Sequence, residues 1–241
     1  MTTTNLPLLT LVTVTKNCVD TIDATLTSVA AVKQAGVEYV VIDGVSTDGT
    51  LEKLQAAGGL IDILISEPDS GIYNAMNKAT VHGTGTYIGF INGDDELIAD
   101  GFPTVLKALA RKQSRIISAT TLVGSSQSPD EKLVCEPWKL YFHNSVPHPS
   151  TFVARDLMSR WPFKESLKIA GDYDFFLRCY LEGERFQRID VPVALHHRGG
   201  ASANTAQSEL EVERIRADEL GWRMFIADSV RSTYRAFKRR K

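Results

Sequence analysis

The 241-residue sequence holds only three cysteines, Cys18, Cys135 and Cys179, widely separated. They are too few and too scattered for a disulfide framework or a zinc ribbon, so a reducing compartment is the expectation. No apolar run approaches the ~20 residues of a membrane-spanning helix. Neither sign of charge dominates: 27 Lys and Arg stand against 29 Asp and Glu, a net −2. Nucleic-acid binders carry a strong basic excess, so nucleic acid is not an expected partner. Residues 1–7 are polar and show no basic stretch followed by an apolar one, so no signal peptide is expected and the chain reads as cytoplasmic. No Gly-x-Gly-x-x-Gly follows the first apolar run, where Thr13-Val14-Thr15-Lys16-Asn17 stands instead. That counts against a dinucleotide oxidoreductase. A P-loop, a Gly-x-Ser-x-Gly elbow and a His-Glu-x-x-His helix are missing too.

What is present is an ordinary globular composition, 43% hydrophobic and 23% charged, long enough for one large domain with a sizeable core. The first half alternates short apolar runs with helical spacings. Residues 8–14, 38–43, 61–66, 87–92 and 115–123 read as strands, and 20–35, 50–57, 72–82 and 101–111 as helices between them. Such alternation predicts an α/β fold on a mostly parallel sheet. The second half is less regular. Residues 124–130 read as a polar loop, 172–182 as a helix, 185–190 and 193–197 as two strand-like segments, and helical spacing resumes near Ala206.

In open α/β sheets ligands bind beyond the carboxyl ends of the strands, so acids placed there are candidates. Asp43 ends the second strand, where it either begins a turn or orients a nucleotide. Asn92-Gly93-Asp94-Asp95 ends the fourth; two adjacent carboxylates suit a hard cation such as Mg²⁺ or Mn²⁺, or form a solvated acidic turn. In Gly171-Asp172-Tyr173-Asp174 the acids serve as first-turn residues of a helix, or Asp172 is a general base. In His196-His197-Arg198-Gly199-Gly200 an imidazole suits a metal shell and Arg198 a phosphate. His148, between two prolines, reads as structural or acceptor-side.

Taken in order, these motifs, together with Val41 to Thr50 and Ser66-Glu67-Pro68-Asp69-Ser70-Gly71-Ile72-Tyr73-Asn74-Ala75-Met76-Asn77-Lys78, resemble family 2 glycosyltransferases, inverting nucleotide-sugar enzymes of the GT-A fold. The resemblance runs from about residue 8 to 202. It implies a GT-A domain over 1–204 and a nucleotide-sugar donor, UDP-linked by expectation, held by Val14, Asp43 and Asp94. It implies Mn²⁺ or Mg²⁺ on Asp95, with His197 as a further contact and His196 its rival by one position, and Asp172 as the catalytic base. The implied acceptor is a surface-glycan or lipid-linked hydroxyl. Asn74 and Gly171 stand where relatives commonly carry acids. The alternatives are a nucleotidyltransferase, which would release pyrophosphate, and an inactive nucleotide-binding partner of a transferase.

Residues 205–241 read as a helical tail. From 223 to 241 there are seven basic residues and one acid, Asp228, a net +6 that leaves −8 on the rest. Trp222, Phe225, Ile226, Val230, Tyr234 and Phe237 recur at helical spacing. Either this stripe packs on the catalytic domain, or it lies on an anionic membrane surface as a peripheral anchor.

Overall fold

The computed structural model describes residues 6–125, 127–199, 205–224 and 229. Strand β1 (Leu9–Thr15) is buried along its whole length and lies centrally, because its run of Leu, Val and Thr offers apolar surface on both faces. It pairs in parallel with β2 (Val37–Asp43) on one side and with β4 (Tyr87–Phe90) on the other; β3 (Ile63–Ser66) extends the sheet in parallel beyond β2. Helices α1 (Ile22–Val32), α2 (Thr50–Ala56) and α3 (Ile72–His82) make the crossovers. In α1 the buried positions Ile22, Leu26 and Val29 recur at three or four residues, and Gly36 ends the connection with φ +86°.

Past β4 the sheet is mixed: the expected parallel pairing holds throughout the first four strands and again between β6 and β9. Strand β8 (Thr151–Ala154) runs antiparallel to β4 and to β6 (Ile116–Ser125); β9 (Phe186–His196) is parallel to β6; the two-residue β5 (Glu96–Leu97) pairs antiparallel with β9 at the edge. The full order is β3-β2-β1-β4-β8-β6-β9-β5. Helices α4 (Phe102–Arg111), α5 (Arg155–Arg160) and α6 (Gly171–Leu181) join these strands.

Two sequence expectations are corrected here. The polar loop at 124–130 is largely a hairpin, since β7 (Ser128–Leu133) pairs antiparallel with β6. All six β7 residues are exposed, so no apolar face marks the strand. The two segments at 185–190 and 193–197 are one strand that passes through Pro192, and the ladder to β6 shifts register around that proline, which has no N–H to give.

The tail also divides differently. Helix α7 (Thr205–Leu220) puts Ile215 and Leu220 into the common core, and its Arg216 is 2% exposed. Through residue 220 the chain is therefore continuous with the unit assigned to 1–204. Trp222 is exposed, whereas Phe225, Ile226, Val230, Tyr234, Phe237 and all the basic residues after Arg223 lie outside the described residues. Among the described residues no helix is long and apolar enough to cross a membrane.

Candidate active site

A cleft of about 1300 Å³ opens at the carboxyl ends of β1 and β4. Val14, Lys16, Asp69, Asp94, Asp95, His148, Asp172, His196, His197 and Arg198 all line it. The topology brings them there: Asp94 and Asp95 follow β4, the histidines end β9, and Asp172 sits in the first turn of α6. Of the sequence candidates, Val14, Asp94, Asp95, Asp172 and His197 thus share one cavity.

Asp43 does not join them. It is fully buried, and its carboxylate accepts Ser46 N–H at 3.1 Å, the Ser66 hydroxyl at 2.6 Å and the Ser46 hydroxyl. With these bonds it braces the turn after β2, where Val45 takes φ +60°, a costly conformation for a β-branched residue. Asn17 docks that turn by accepting Thr47 N–H at 2.9 Å.

Of the acids of this cleft, Asp95 is 0% exposed. Its Oδ1 lies 2.8 Å from His196 Nδ1 and accepts the His197 backbone N–H at 3.2 Å. Its Oδ2 is buried and has no hydrogen-bond partner. The His197 ring turns away, with Nε2 2.7 Å from Glu96 Oε1. The imidazole that touches Asp95 is therefore His196, the rival of the expected His197. The hydrogen bond to Asp95 raises the His196 pKa above its ordinary value, against the effect of burial. Burial, and then the neighbouring Asp95 charge, raise the Asp94 carboxyl.

Among the described residues no cluster of three or more His, Cys, Asp or Glu side chains is arranged to hold a metal ion. A hard divalent cation in a nucleotide site, however, needs one or two carboxylates and takes its other ligands from phosphate and water. The orphaned Asp95 Oδ2, next to Asp94 and His196, fits that requirement.

In the same cleft, Asp172 is half-buried, and both its oxygens are engaged. Asn144 Nδ2 donates to Oδ2 at 2.8 Å and the Tyr73 hydroxyl lies 3.4 Å from Oδ1. Tyr73 also donates to the Ile169 carbonyl at 2.6 Å. The ring of Tyr73 accounts for Gly171: a Cβ there would come within 2.7–2.8 Å of three ring atoms, which leaves no room for the acid that the family resemblance leads one to expect. Asn74 is explained as well. With Asn77 it donates to Glu165, at 2.9 and 3.1 Å, and an acid at 74 would meet that carboxylate instead. These bonds, the one from Asn77 foremost, hold the Glu165 carboxyl below its usual range. Asp174 faces away, fully buried and ion-paired with Lys164 and Arg178 at 2.7 and 2.8 Å.

Sequence reasoning missed the supports behind Asp172. Glu211 of α7 accepts the backbone N–H groups of Lys168, Ile169 and Ala170, each at 2.9 Å, just ahead of the helix that carries the acid. Arg216 donates to the Tyr141 carbonyl at 3.0 Å, in the segment that delivers Asn144. A buried Arg beside the apolar positions of a helix carries no periodic signal of its own.

Comparison with known proteins agrees with this geometry. The family profile "Glycosyl transferase family 2" matches residues 10–155. A PGL/p-HBAD biosynthesis glycosyltransferase of Mycobacterium tuberculosis is 27% identical over 227 residues, 91% of this chain and 89% of that one. The putative teichuronic acid biosynthesis glycosyltransferase TuaG of Bacillus subtilis is 26% identical over 58% of this chain and 57% of its own. Among solved structures, S. aureus TarS 1–349 in complex with UDP-GlcNAc superposes with a TM-score of 0.73 at 19% identity, covering 88% of this chain. The chain spans 66% of that structure's length. Glucosyl-3-phosphoglycerate synthase from M. tuberculosis, in complex with Mn²⁺, UDP and phosphoglyceric acid, gives 0.65 at 17% identity, over 89% of this chain and 79% of that one. The profile covers more than half of the sequence and includes strands β1 to β4 and the paired acids after β4, so the chain belongs to glycosyltransferase family 2 and is an enzyme of that class.

Proposed function

We propose that the protein transfers a glycosyl group, with inversion, from a nucleoside diphosphate sugar to a hydroxyl of a surface-glycan or lipid-linked acceptor. The observation that carries this reading is the placement of Asp95, with a buried, unpartnered carboxylate oxygen, and Asp172, with a fixed carboxylate, in one cleft. A UDP-linked donor is supported by the neighbours solved with UDP and UDP-GlcNAc, and a divalent cation by those solved with Mn²⁺.

The chain's own residues divide the work. Val14 and Asp94 line the nucleotide side, and Asp43 supports it from behind. Asp95 and His196 would hold Mn²⁺ or Mg²⁺, which when bound neutralises the charge developing on the departing diphosphate. Asp172 accepts the proton of the acceptor hydroxyl as that oxygen attacks the anomeric carbon. One base on the face opposite the leaving group gives inversion without a covalent intermediate. Tyr73 and Asn144 keep the carboxylate aimed.

The test is incubation with UDP-sugars and a glycan acceptor, with release of UDP followed and the new anomeric linkage read by NMR. Inverted product, lost in EDTA and restored by Mn²⁺ or Mg²⁺, is the expected outcome. Full activity in chelator refutes the cation's role, a retained anomeric configuration refutes inversion, and pyrophosphate release refutes glycosyl transfer. Peripheral membrane contact falls to the residues beyond α7, since α7 itself is packed. Co-sedimentation of the full chain with anionic but not neutral liposomes, lost in a chain ending at Leu220, is expected; equal pelleting of the two refutes it.

A further inference from the structure

The cleft lined by Asp95 and Asp172 also holds an imidazole with no protein partner. His148 lines the cleft and is half-buried. Its ring is walled by Phe90, Phe163 and Phe176, with centroids at 5.2, 5.9 and 6.0 Å. The rings of His196 and His197 are each bonded to a carboxylate. The His148 ring has no hydrogen-bond partner among the described residues.

Its backbone has little freedom. Pro147 and Pro149 fix φ on either side, and the Thr151 hydroxyl and Ser150 N–H donate to the Pro147 carbonyl at 2.7 and 3.3 Å. Burial holds the imidazole below its ordinary pKa, against the pull of Asp172 and Asp95, both close enough to act on it. A neutral ring carries one donor and one acceptor nitrogen, the pair a sugar hydroxyl matches. On an apolar wall such a group gains more from a partner than it would in water.

The position narrows the partner. In the roles proposed above the diphosphate lies at Asp95 and the attacking hydroxyl at Asp172; the donor's sugar ring joins the two, in the cleft that His148 lines. We propose that His148 holds that ring through a hydrogen bond to one of its hydroxyls and so selects among nucleotide sugars. This rests on the roles proposed above for Asp95 and Asp172.

The experiment is calorimetric titration of the full chain, in Mn²⁺, with UDP-N-acetylglucosamine, UDP-glucose and GDP-mannose, and with bare UDP and GDP. His148→Phe keeps the aromatic packing and removes both nitrogens. For the nucleotide sugar that wild type binds best, it is expected to raise Kd about tenfold, the worth of one net hydrogen bond, and to leave the matching bare nucleotide within about twofold. His148→Gln, which keeps a donor and an acceptor, should fall between the two and serves where the Phe variant does not fold. Equal weakening of sugar and bare nucleotide, no weakening of either, or a wild type that binds no nucleotide sugar more tightly than its bare nucleotide, each overturns the proposal. A wild type that binds no nucleotide at all instead overturns the reading of Asp95.

Discussion

The two acids of the cleft follow opposite plans. Asp95 is sealed from solvent with one oxygen bonded and the other bare, whereas Asp172 is half-exposed with both oxygens bonded. A buried carboxylate oxygen without a partner is costly, and a ligand from outside relieves that cost. A carboxylate steered by a tyrosine and an asparagine is already aimed and awaits only its proton. Under the proposed function, one acid is left for a ligand to complete and the other is set to take a proton.

The sharpest way to break this contrast is Asp172→Asn. The amide keeps the shape but cannot take a proton, so transfer should fall by ~10²–10⁴ while donor affinity holds; turnover near wild type would remove the base. Next is the choice of imidazole. His196→Ala should weaken Mn²⁺ binding by at least ~10–100-fold, since loss of even a ligand's hydrogen-bonded partner costs that much. His197→Ala, which loses only the Glu96 contact, should do much less; the reverse order, measured by Mn²⁺ titration, would restore the sequence-based choice.

A smaller effect is expected at Gly171. Alanine there forces the Tyr73 ring aside, a strain of about 1–3 kcal/mol that denaturant unfolding would read, with Ile169 and Asp172 losing their shared hydroxyl. Smallest is a pH slope in EDTA. The folded His196 pKa is raised above its ordinary 6.5, so its contribution is full below that value and lost as pH rises through the folded pKa. Wild-type Tm should therefore decline above pH 6.5 more steeply than that of His196→Gln; parallel curves would place the effect elsewhere.

The same contrast runs through what the sequence disclosed. The four parallel strands were legible because each is an apolar run closed by a turn, and α3 falls on its predicted residues, 72–82. The acids after β4 and at the start of α6 were legible because strand ends and helix starts are marked locally. Asp43 shows the limit: a strand-end acid looks the same whether it faces a ligand or, as here, accepts two bonds from Ser46 of its turn and one from Ser66 of β3. Strand β7 lacked an apolar face, and β8 is four residues between prolines and a helix. The choice between His196 and His197 depends on which way one residue faces, and nothing local records that. Asn144, Glu211 and Arg216 act on residues 28 to 75 positions away, contacts that periodicity cannot register.

Pro192 has a consequence four residues downstream. Its interruption of the β6 ladder sets the phase in which β9 reaches β5, where Leu195 stands opposite Glu96. Side chains alternate along a strand, so a one-residue slip exchanges every inward position for an outward one. The bend is wedged in place, because a Cβ on Gly101 would come within 2.1 Å of the Pro192 carbonyl. Deleting a single residue between Pro192 and His196 would present His197 to Asp95 and turn His196 toward Glu96. Which histidine serves the buried acid is thus decided by the count of residues after a proline, and two adjacent, chemically identical side chains acquire different work from parity alone.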